Sequence, residues 1–333
     1  MSLKDVARHA GVSTGTVSMV LNDNPSVAAK TRSRVRQAIA ELGYIYNRSG
    51  AQLRKKRKGV VGVSICNLAN PYFSEVTVGV NEALSELGFA LILGNAGESV
   101  DQQAKFLNLA REHSVDGLIL MPAVGTRRET IEDILGWRLP LVLVCRYVPG
   151  VATDYSGTDN RAGTSAGTKH LLSLGHERIA FVGANPQSTS ARNRVRGYRS
   201  AMAQAGLKVS PGFVVECEST REHGFIVARQ LFDRPGKRPT AIVCFNDLIA
   251  FGVMLGLRSM GLEPGSDCSV VGFDDVAEAA LWKPGLTTMT SHSCQMGRNA
   301  GKLFHKRLES AGQRPERILV EPELIVRDSS RPI

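Results

Sequence analysis

From Gly59 onward the chain alternates short, almost wholly apolar runs with amphipathic stretches of helical period, and few folds accept that rhythm. The runs VVGVSI (60–65), FALILGN (89–95), VDGLILMP (115–122), LPLVLVC (139–145), RIAFVGA (178–184), FVVEC (213–217), TAIVCF (240–245), CSVVGFD (268–274) and RILVEPELIVR (317–327) read as strands. Helices are expected between them over 72–88, 102–113, 130–137, 161–174, 194–205, 222–232, 247–260 and 295–309. Strands written as continuous Val/Ile/Leu runs are buried on both faces, as in a parallel sheet flanked by helices. Roughly ten such units exceed one compact sheet, and the irregular stretch 148–160 divides them into two similar α/β halves. Open parallel sheets bind ligands beyond the carboxyl ends of their strands, so two halves can face each other across a cleft.

The first 58 residues differ in kind. LKDVARHAGVSTGTVSMVLN (3–22) reads as two short helices broken at Gly11, with apolar faces from Val6, Ala7 and Ala10 and from Val17, Val20 and Leu21. Ser13 stands where an N-cap belongs. Two helices meeting at a glycine-containing turn form a helix-turn-helix, whose second helix enters the DNA major groove. Turn formers at 22–25 end the second helix. A third is expected over 29–42, with Val35, Ile39 and Leu42 inward, Lys30, Arg32, Arg34 and Arg36 largely outward, and Gly43 as its stop. Charge points the same way: residues 1–58 carry 12 Lys and Arg against 3 Asp and Glu, so +9 of the total +10 sits there. A basic head on a near-neutral body is the footprint of a polyanion binder.

The connector YIYNRSGAQLRKKRK (44–58) offers Asn47 as the cap of a short helix over 48–54, ahead of the basic run that begins at Arg54. Gly50 weakens such a helix by about 1 kcal/mol relative to Ala, so it is expected to order only when a partner such as DNA holds it. Leu53, apolar amid positive charge, suits either a neighbouring domain or a wedge between base steps of the minor groove.

No apolar run approaches the roughly 18 residues of a membrane span, and MSLKDVARHAGV lacks the apolar core of a secretory signal, so a cytoplasmic protein without a membrane partner is expected. The cysteines at 66, 145, 217, 244, 268 and 294 include no C-x-x-C pair and no histidine at ligand spacing, so buried reduced thiols are expected and no metal site. Neither a dinucleotide fingerprint after the first strand nor a P-loop is present, so no cofactor is expected and catalysis is disfavoured. The basic head and missing leader also weigh against a solute-transport protein.

A long series of ordered motifs narrows the reading further: KDVARHAGVSTGTVSMVLN, T-R-x-x-V (31–35), E-L-G-Y (41–44), NRSGAQLR, NPYF (70–73), DGLIL (116–120), DN (159–160), GHERIAFVG (175–183), R-x-x-G-Y (194–198), CFND (244–247), VVGFDD (270–275) and LTT (286–288). Over essentially its whole length the chain resembles the LacI/GalR family of bacterial transcription regulators. The resemblance implies a helix-turn-helix head (1–46), a hinge helix and linker (47–58), and a core (59–333) like the type I periplasmic sugar-binding proteins. That core would have two doubly wound parallel-sheet subdomains, 59–158 plus 291–316 and 159–290 plus 317–333, joined by three crossovers. It implies a homodimer or higher oligomer on a pseudo-palindromic double-stranded operator, most simply a repressor switched by a small effector.

Carried over by position, Thr14 and Gly15 at the start of the second helix, with Met19 one turn on, face base edges. Gly15 has no side chain to read with. Thr16, Ser18, Asn22 and Thr31 suit phosphate contacts, Asn47 and Arg54 belong to the hinge, and Leu53 becomes the minor-groove lever. Gly50 and Ala51 depart from the family's usual Ala-Arg. In the cleft, Arg194 and Asp274 would grip a polyol, a guanidinium fork donating where a carboxylate accepts. Asn246, Tyr72, Arg146, Ser188, Ser190 and Trp282 complete the expected effector set. Cys145 replaces the Asp that commonly precedes the Arg of sugar-type relatives. Ser188 and Ser190, expected in a cleft loop, tilt the effector from a purine towards a carbohydrate, and a purine-type or ligand-independent regulator is the alternative. From the residues alone, Asn246 and Asp274 also suit strand-end capping, Arg194 a surface ion pair, and Trp282 packing between subdomains.

Overall fold

The computed structural model describes residues 1–21, 23–44, 58–183, 185–234, 236, 238–310 and 312–333. They form two compact units, Met1–Lys58 and Gly59–Ile333.

In the first unit, α1 (Leu3–Ala10), α2 (Thr14–Leu21) and α3 (Ala29–Glu41) enclose a core of Val6, Ala7, Ala10, Val17, Val20, Val27, Val35 and Ala38. The Asp5 carboxylate accepts from the Ser2 amide and hydroxyl at 2.8 and 2.7 Å, fixing the start of α1. Gly11 ends it in the left-handed region, φ 61°. Ser13 caps α2 as expected, its Oγ accepting from the Thr16 amide at 3.0 Å. The arginines of α3 are less free than their outward spacing implies. Arg32 donates to the Asn24 carbonyl (3.0 Å), Arg34 to that of Gly11 (3.2 Å), and Arg36 pairs with Asp23 (3.0 Å). A small core leaves the loops of this bundle to be tied by side chains.

The second unit holds, in chain order, strands β1 (Val60–Ile65), β2 (Ala90–Asn95), β3 (Leu118–Leu120), β4 (Leu141–Val144), β5 (Asp154–Thr158), β6 (Ile179–Val182), β7 (Val214–Val215), β8 (Ala241–Cys244), β9 (Ser269–Asp274), β10 (Thr287–Thr290), β11 (Arg317–Val320) and β12 (Leu324–Ile325). The helices are α4 (Pro71–Ser85), α5 (Val100–Glu112), α6 (Arg128–Gly136), α7 (Asn160–Ser173), α8 (Thr189–Gln204), α9 (Arg221–Asp233), α10 (Asp247–Ser259), α11 (Glu278–Leu281) and α12 (Ser293–Glu309). Two six-stranded sheets result, ordered β11-β5-β4-β3-β1-β2 and β12-β10-β9-β8-β6-β7. Every pairing is parallel except β10 with β12.

Three departures from expectation have physical causes. The stretch expected to be irregular contains β5, buried along its whole length despite its polar sequence DYSGT. Its charge is met internally, because Asp154 accepts from Arg307 at 2.7 and 3.0 Å and from the Glu316 amide at 2.8 Å. Residues 317–327, expected as one strand of the second half, are two strands in different sheets, so 317–320 belongs with the first half. Pro322 lies between them and has no amide for a ladder. Finally, β10 was not anticipated, since TTMT carries no apolar run.

The chain thus crosses between the sheets after β5, after β10 and after β11. On its second passage α12 packs on α4 at backbone distance. A Cβ on Gly79 would lie 2.0 Å from the Cys294 carbonyl oxygen, and one on Gly297 2.0 Å from that of Val76.

Candidate functional site

A cavity of about 560 Å³ lies between the two sheets of the second unit, beyond the carboxyl ends of their strands. Asn67 follows β1, Glu98 follows β2, Val124 follows β3, and Cys145 and Arg146 follow β4. From the other half come Gly183 after β6, Cys217 and Glu218 after β7, Phe245 and Asn246 after β8, and Asp274 at the end of β9.

Arg194 projects from α8 and is 4% exposed. Its Nε donates to Asn160 Oδ1 at 2.6 Å, Nη1 to the Phe245 carbonyl, and Nη2 to Asp274 Oδ1 at 3.5 Å. The guanidinium carbon lies 3.6 Å from the Phe273 ring centroid and 4.5 Å from that of Phe245, faces that suit a planar, weakly hydrated cation. Asp274 is 5% exposed and has φ 122°, a conformation that side-chain-bearing residues rarely adopt and that concentrates at ligand sites. Burial pushes its carboxyl well above the usual range, with the Arg194 charge opposing. Burial likewise lowers Arg194, with Asp274 opposing.

The expected cleft loop at Ser188 and Ser190 is instead the start of α8, whose polar opening TSARNR gave no apolar period. Ser188 is the N-cap, accepting from the Ala191 amide at 3.3 Å, and its hydroxyl meets that of Ser190 at 2.9 Å. Asn246 also caps a helix, its Oδ1 accepting from the Ile249 amide at 3.0 Å, while its side chain still lines the cavity. The capping and lining roles therefore coexist.

On the facing half, Asn70 caps α4 and so places Tyr72 and Phe73 in its first turn, their rings edge to face at 5.0 Å. The Tyr72 hydroxyl reaches Met296 Sδ at 3.9 Å, and burial raises its pKa. Arg146 is clamped by Glu98, Nη1 to Oε2 and Nη2 to Oε1, both at 2.7 Å. Cys145 has φ 65°, and burial pushes its thiol up to about 12.

The cavity therefore brings together Tyr72, Arg146, Ser188, Ser190, Arg194, Asn246 and Asp274. Trp282 is not among them: it stacks on Phe251, centroids 4.6 Å apart and planes 9° apart. Sequence reasoning missed Glu98, Glu218 and the amides Asn67, Asn185 and Gln187 of the lining. It also missed Asn160 as the partner of Arg194, for which the pair Asp159-Asn160 after β5 was the available signal. The run 163–167 spells G-x-S-x-G, but a nucleophile elbow needs a strand-to-helix turn. Here it lies inside α7, Gly163 against Phe273 and Gly167 against Val271 and Met289. Among the described residues no cluster of three or more His, Cys, Asp or Glu is placed to hold a metal. None of the described helices is long and apolar enough to cross a membrane.

In the first unit Thr14, Gly15 and Met19 are exposed along α2, whereas Thr16, Ser18 and Thr31 are half-buried. Asn22, Asn47, Leu53 and Arg54 lie outside the described residues.

Residues 2–47 match the model of the bacterial regulatory proteins of the lacI family, and residues 168–330 that of a periplasmic binding protein-like domain. The HTH-type transcriptional repressor PurR of Photobacterium profundum is 31% identical, over 98% of this chain and 98% of its own. The chain belongs to the lacI family. It is a DNA-binding transcription regulator with a helix-turn-helix head and a ligand-binding core. It resembles the Lac repressor dimer bound to operator and the anti-inducer ONPF, at TM-score 0.87 and 27% identity over 99% of both chains. The regulator CelR in complex with cellobiose matches at TM-score 0.75 and 30% identity, again over 99% of both chains.

Proposed function

We propose that the protein is a homodimeric repressor whose hold on a pseudo-palindromic operator is switched by a neutral polyhydroxyl effector, of the carbohydrate class, bound in the cleft. One observation carries this: the buried pair Arg194–Asp274 opens onto a cavity rich in amides, hydroxyls and aromatic rings, in which the other cation, Arg146, is already paired with Glu98. Asp274 accepts from Arg194 through Oδ1 at 3.5 Å and offers its remaining acceptor capacity to a ligand hydroxyl. Tyr72, Phe73 and Phe245 supply apolar faces for a ring. The volume suits a small organic effector, and CelR, a relative of the same fold, binds cellobiose.

A purine is the second reading, favoured by the whole-chain similarity to PurR and by the same aromatic faces. A thermal-shift panel of sugars and purines separates the two, since a ligand of the folded state raises the melting temperature by mass action. Stabilisation by purines alone would reverse the assignment.

Binding would alter the angle between the two halves and so the fraction of dimers able to hold both half-sites. For the head, the exposure of Thr14, Gly15 and Met19 supports a role at base edges, with Thr16, Ser18 and Thr31 nearer the phosphates. Asn22, Asn47, Leu53 and Arg54 keep the roles the family resemblance implies. Operator affinity should fall steeply with salt, as counterion release requires; a flat response would remove the electrostatic basis of the head's role.

A further inference from the structure

We propose that Glu98 sets the charge class of the effector: by occupying Arg146 it closes the cleft to anions. The proposal rests on the cleft being the effector site. Five charged residues line the cavity among those described, namely Glu98, Arg146, Arg194, Glu218 and Asp274. The two cations are both engaged, and neither Lys nor His contributes. Arg194 is spread over Asn160, the Phe245 carbonyl and Asp274.

Arg146 is the group that otherwise fits an anion. It follows β4 directly, is 8% exposed, and carries a planar donor fork of the kind that takes carboxylates and phosphates with two parallel bonds. Glu98 fills that fork, with both distances 2.7 Å. It behaves as an anionic ligand supplied by the chain itself.

The backbone is built to deliver it. Gly97 and Glu98 are consecutive left-handed residues, φ 57° and 60°, and the Glu98 amide donates to the Cys66 carbonyl at 3.1 Å. Oε2 also accepts from the Val124 amide at 3.1 Å, tying the carboxylate to the turn after β3. A side chain held at positive φ persists only where its surroundings demand it. An incoming phosphate or carboxylate must displace Glu98 and then face it as a like charge. A neutral polyol can hydrogen-bond beside the pair without breaking it.

The test uses the full-length protein and inorganic phosphate as probe, at constant ionic strength set with sodium chloride. Thermal shift and calorimetry are run on wild type, Glu98→Gln, and Glu98→Gln combined with Arg146→Gln. Gln retains an acceptor for the Val124 amide. Phosphate bound by the basic head is common to all three proteins and cancels. Glu98→Gln should bind phosphate at least about tenfold more tightly than wild type, as expected when a buried guanidinium fork becomes free, and the double variant should lose that gain. Glu98→Ser is the second variant if Glu98→Gln fails to fold, since the Glu98 side chain is already 36% exposed.

Equal phosphate responses in wild type and the single variants would overturn the proposal. So would saturable binding to wild type that the double variant abolishes. A panel in which no neutral sugar binds would defeat the polyol reading and leave the phosphate result to decide Glu98 separately. A sugar phosphate that stabilises wild type more than its parent sugar would defeat the Glu98 proposal while the cleft stands as effector site.

Discussion

Each half of the core brings one arginine to the cavity, and the two are held in opposite ways. Arg146 places both ends of its fork on a single carboxylate at 2.7 Å, with the Pro122 carbonyl as a longer third acceptor at 3.2 Å. Arg194 is spread over an amide, a carbonyl, two aromatic faces and a carboxylate at 3.5 Å. The first is neutralised by its nearest neighbour and contributes shape and exclusion. The second leaves a buried acid short of full pairing, so a hydrogen-bond donor arriving from a ligand gains most there. Burial alone does not separate the two arginines. Their difference lies in how each is paired.

The harshest way to break that comparison is to remove each cation in turn. Arg194→Met strands the Asp274 carboxylate, itself only 5% exposed, and loss of one partner from a buried pair costs about 3–5 kcal/mol. Arg146→Met should cost about 1–2 kcal/mol, because Glu98, 36% exposed, can turn to water. Urea denaturation measures both, and equal losses would abolish the distinction. The Arg194→Met deficit should also shrink in acid. Asp274 is already raised by burial and loses its opposing charge in this variant. The folded chain then binds the proton more tightly than the unfolded chain, so the penalty is full above the raised pKa and eases as pH falls towards it.

The comparison is sharpened by Asp274→Asn. Effector affinity should drop about 100-fold, near 3 kcal/mol for a buried charged hydrogen-bonding group. Operator affinity in the absence of effector should stay within about twofold, since the head is untouched. Fluorescence anisotropy with and without effector reads both quantities, and an unchanged ligand titration would remove Asp274 from the site.

The halves should also differ in acid. His176 bridges Thr240, Ser269 and the Arg331 carbonyl at about 3 Å, and His170 meets Ser330 at 2.8 Å, all in the second half. Burial lowers both histidines from 6.5. The folded state therefore binds fewer protons than the unfolded chain, and the stability they contribute is full above that value and is lost as pH falls below it. Hydrogen exchange at pH 7 and pH 5 should show β9 and the tail 329–331 losing protection before the first sheet. His176→Gln should narrow the difference.

The smallest effect sets the head against the core. A Cβ on Gly15 would meet only Ser13 Oγ at 3.6 Å. Gly15→Ala should therefore stabilise the free head by up to about 1 kcal/mol through helix propensity. Weaker operator binding by this more stable variant would mark Gly15 as a point of close approach to DNA. Unchanged binding would show that the α2 backbone stays clear of the base edges.

Much of this architecture was legible because burial and periodicity coincide. The runs that became β1, β4, β6, β8 and β9 are apolar because both their faces are covered, and Ser13, Gly11 and Gly43 punctuate the head where caps and stops are needed. Legibility failed where buried polarity is satisfied by distant residues. The strand DYSGT depends on Arg307, some 150 residues away in the chain, to be burial-competent. In the cleft, Arg194 and Asp274 were legible as motif positions, whereas Glu98 was not. Its role depends on a left-handed turn and on an arginine 48 residues downstream, and neither is a local pattern. Trp282 misled because a large aromatic near a cleft motif fits stacking on Phe251 as well as it fits a ligand.

The double crossing of the last segment bears on how the protein is made. The first sheet receives β11 only from residues 317–320, and α4 is covered only once α12, at 293–309, has emerged. Domains generally form in the order they leave the ribosome. Here the amino-proximal half must wait with α4 and one edge of β5 uncovered while the distal half is built. The half that is synthesised first is completed almost last, and a chain halted at residue 290 would have neither half whole.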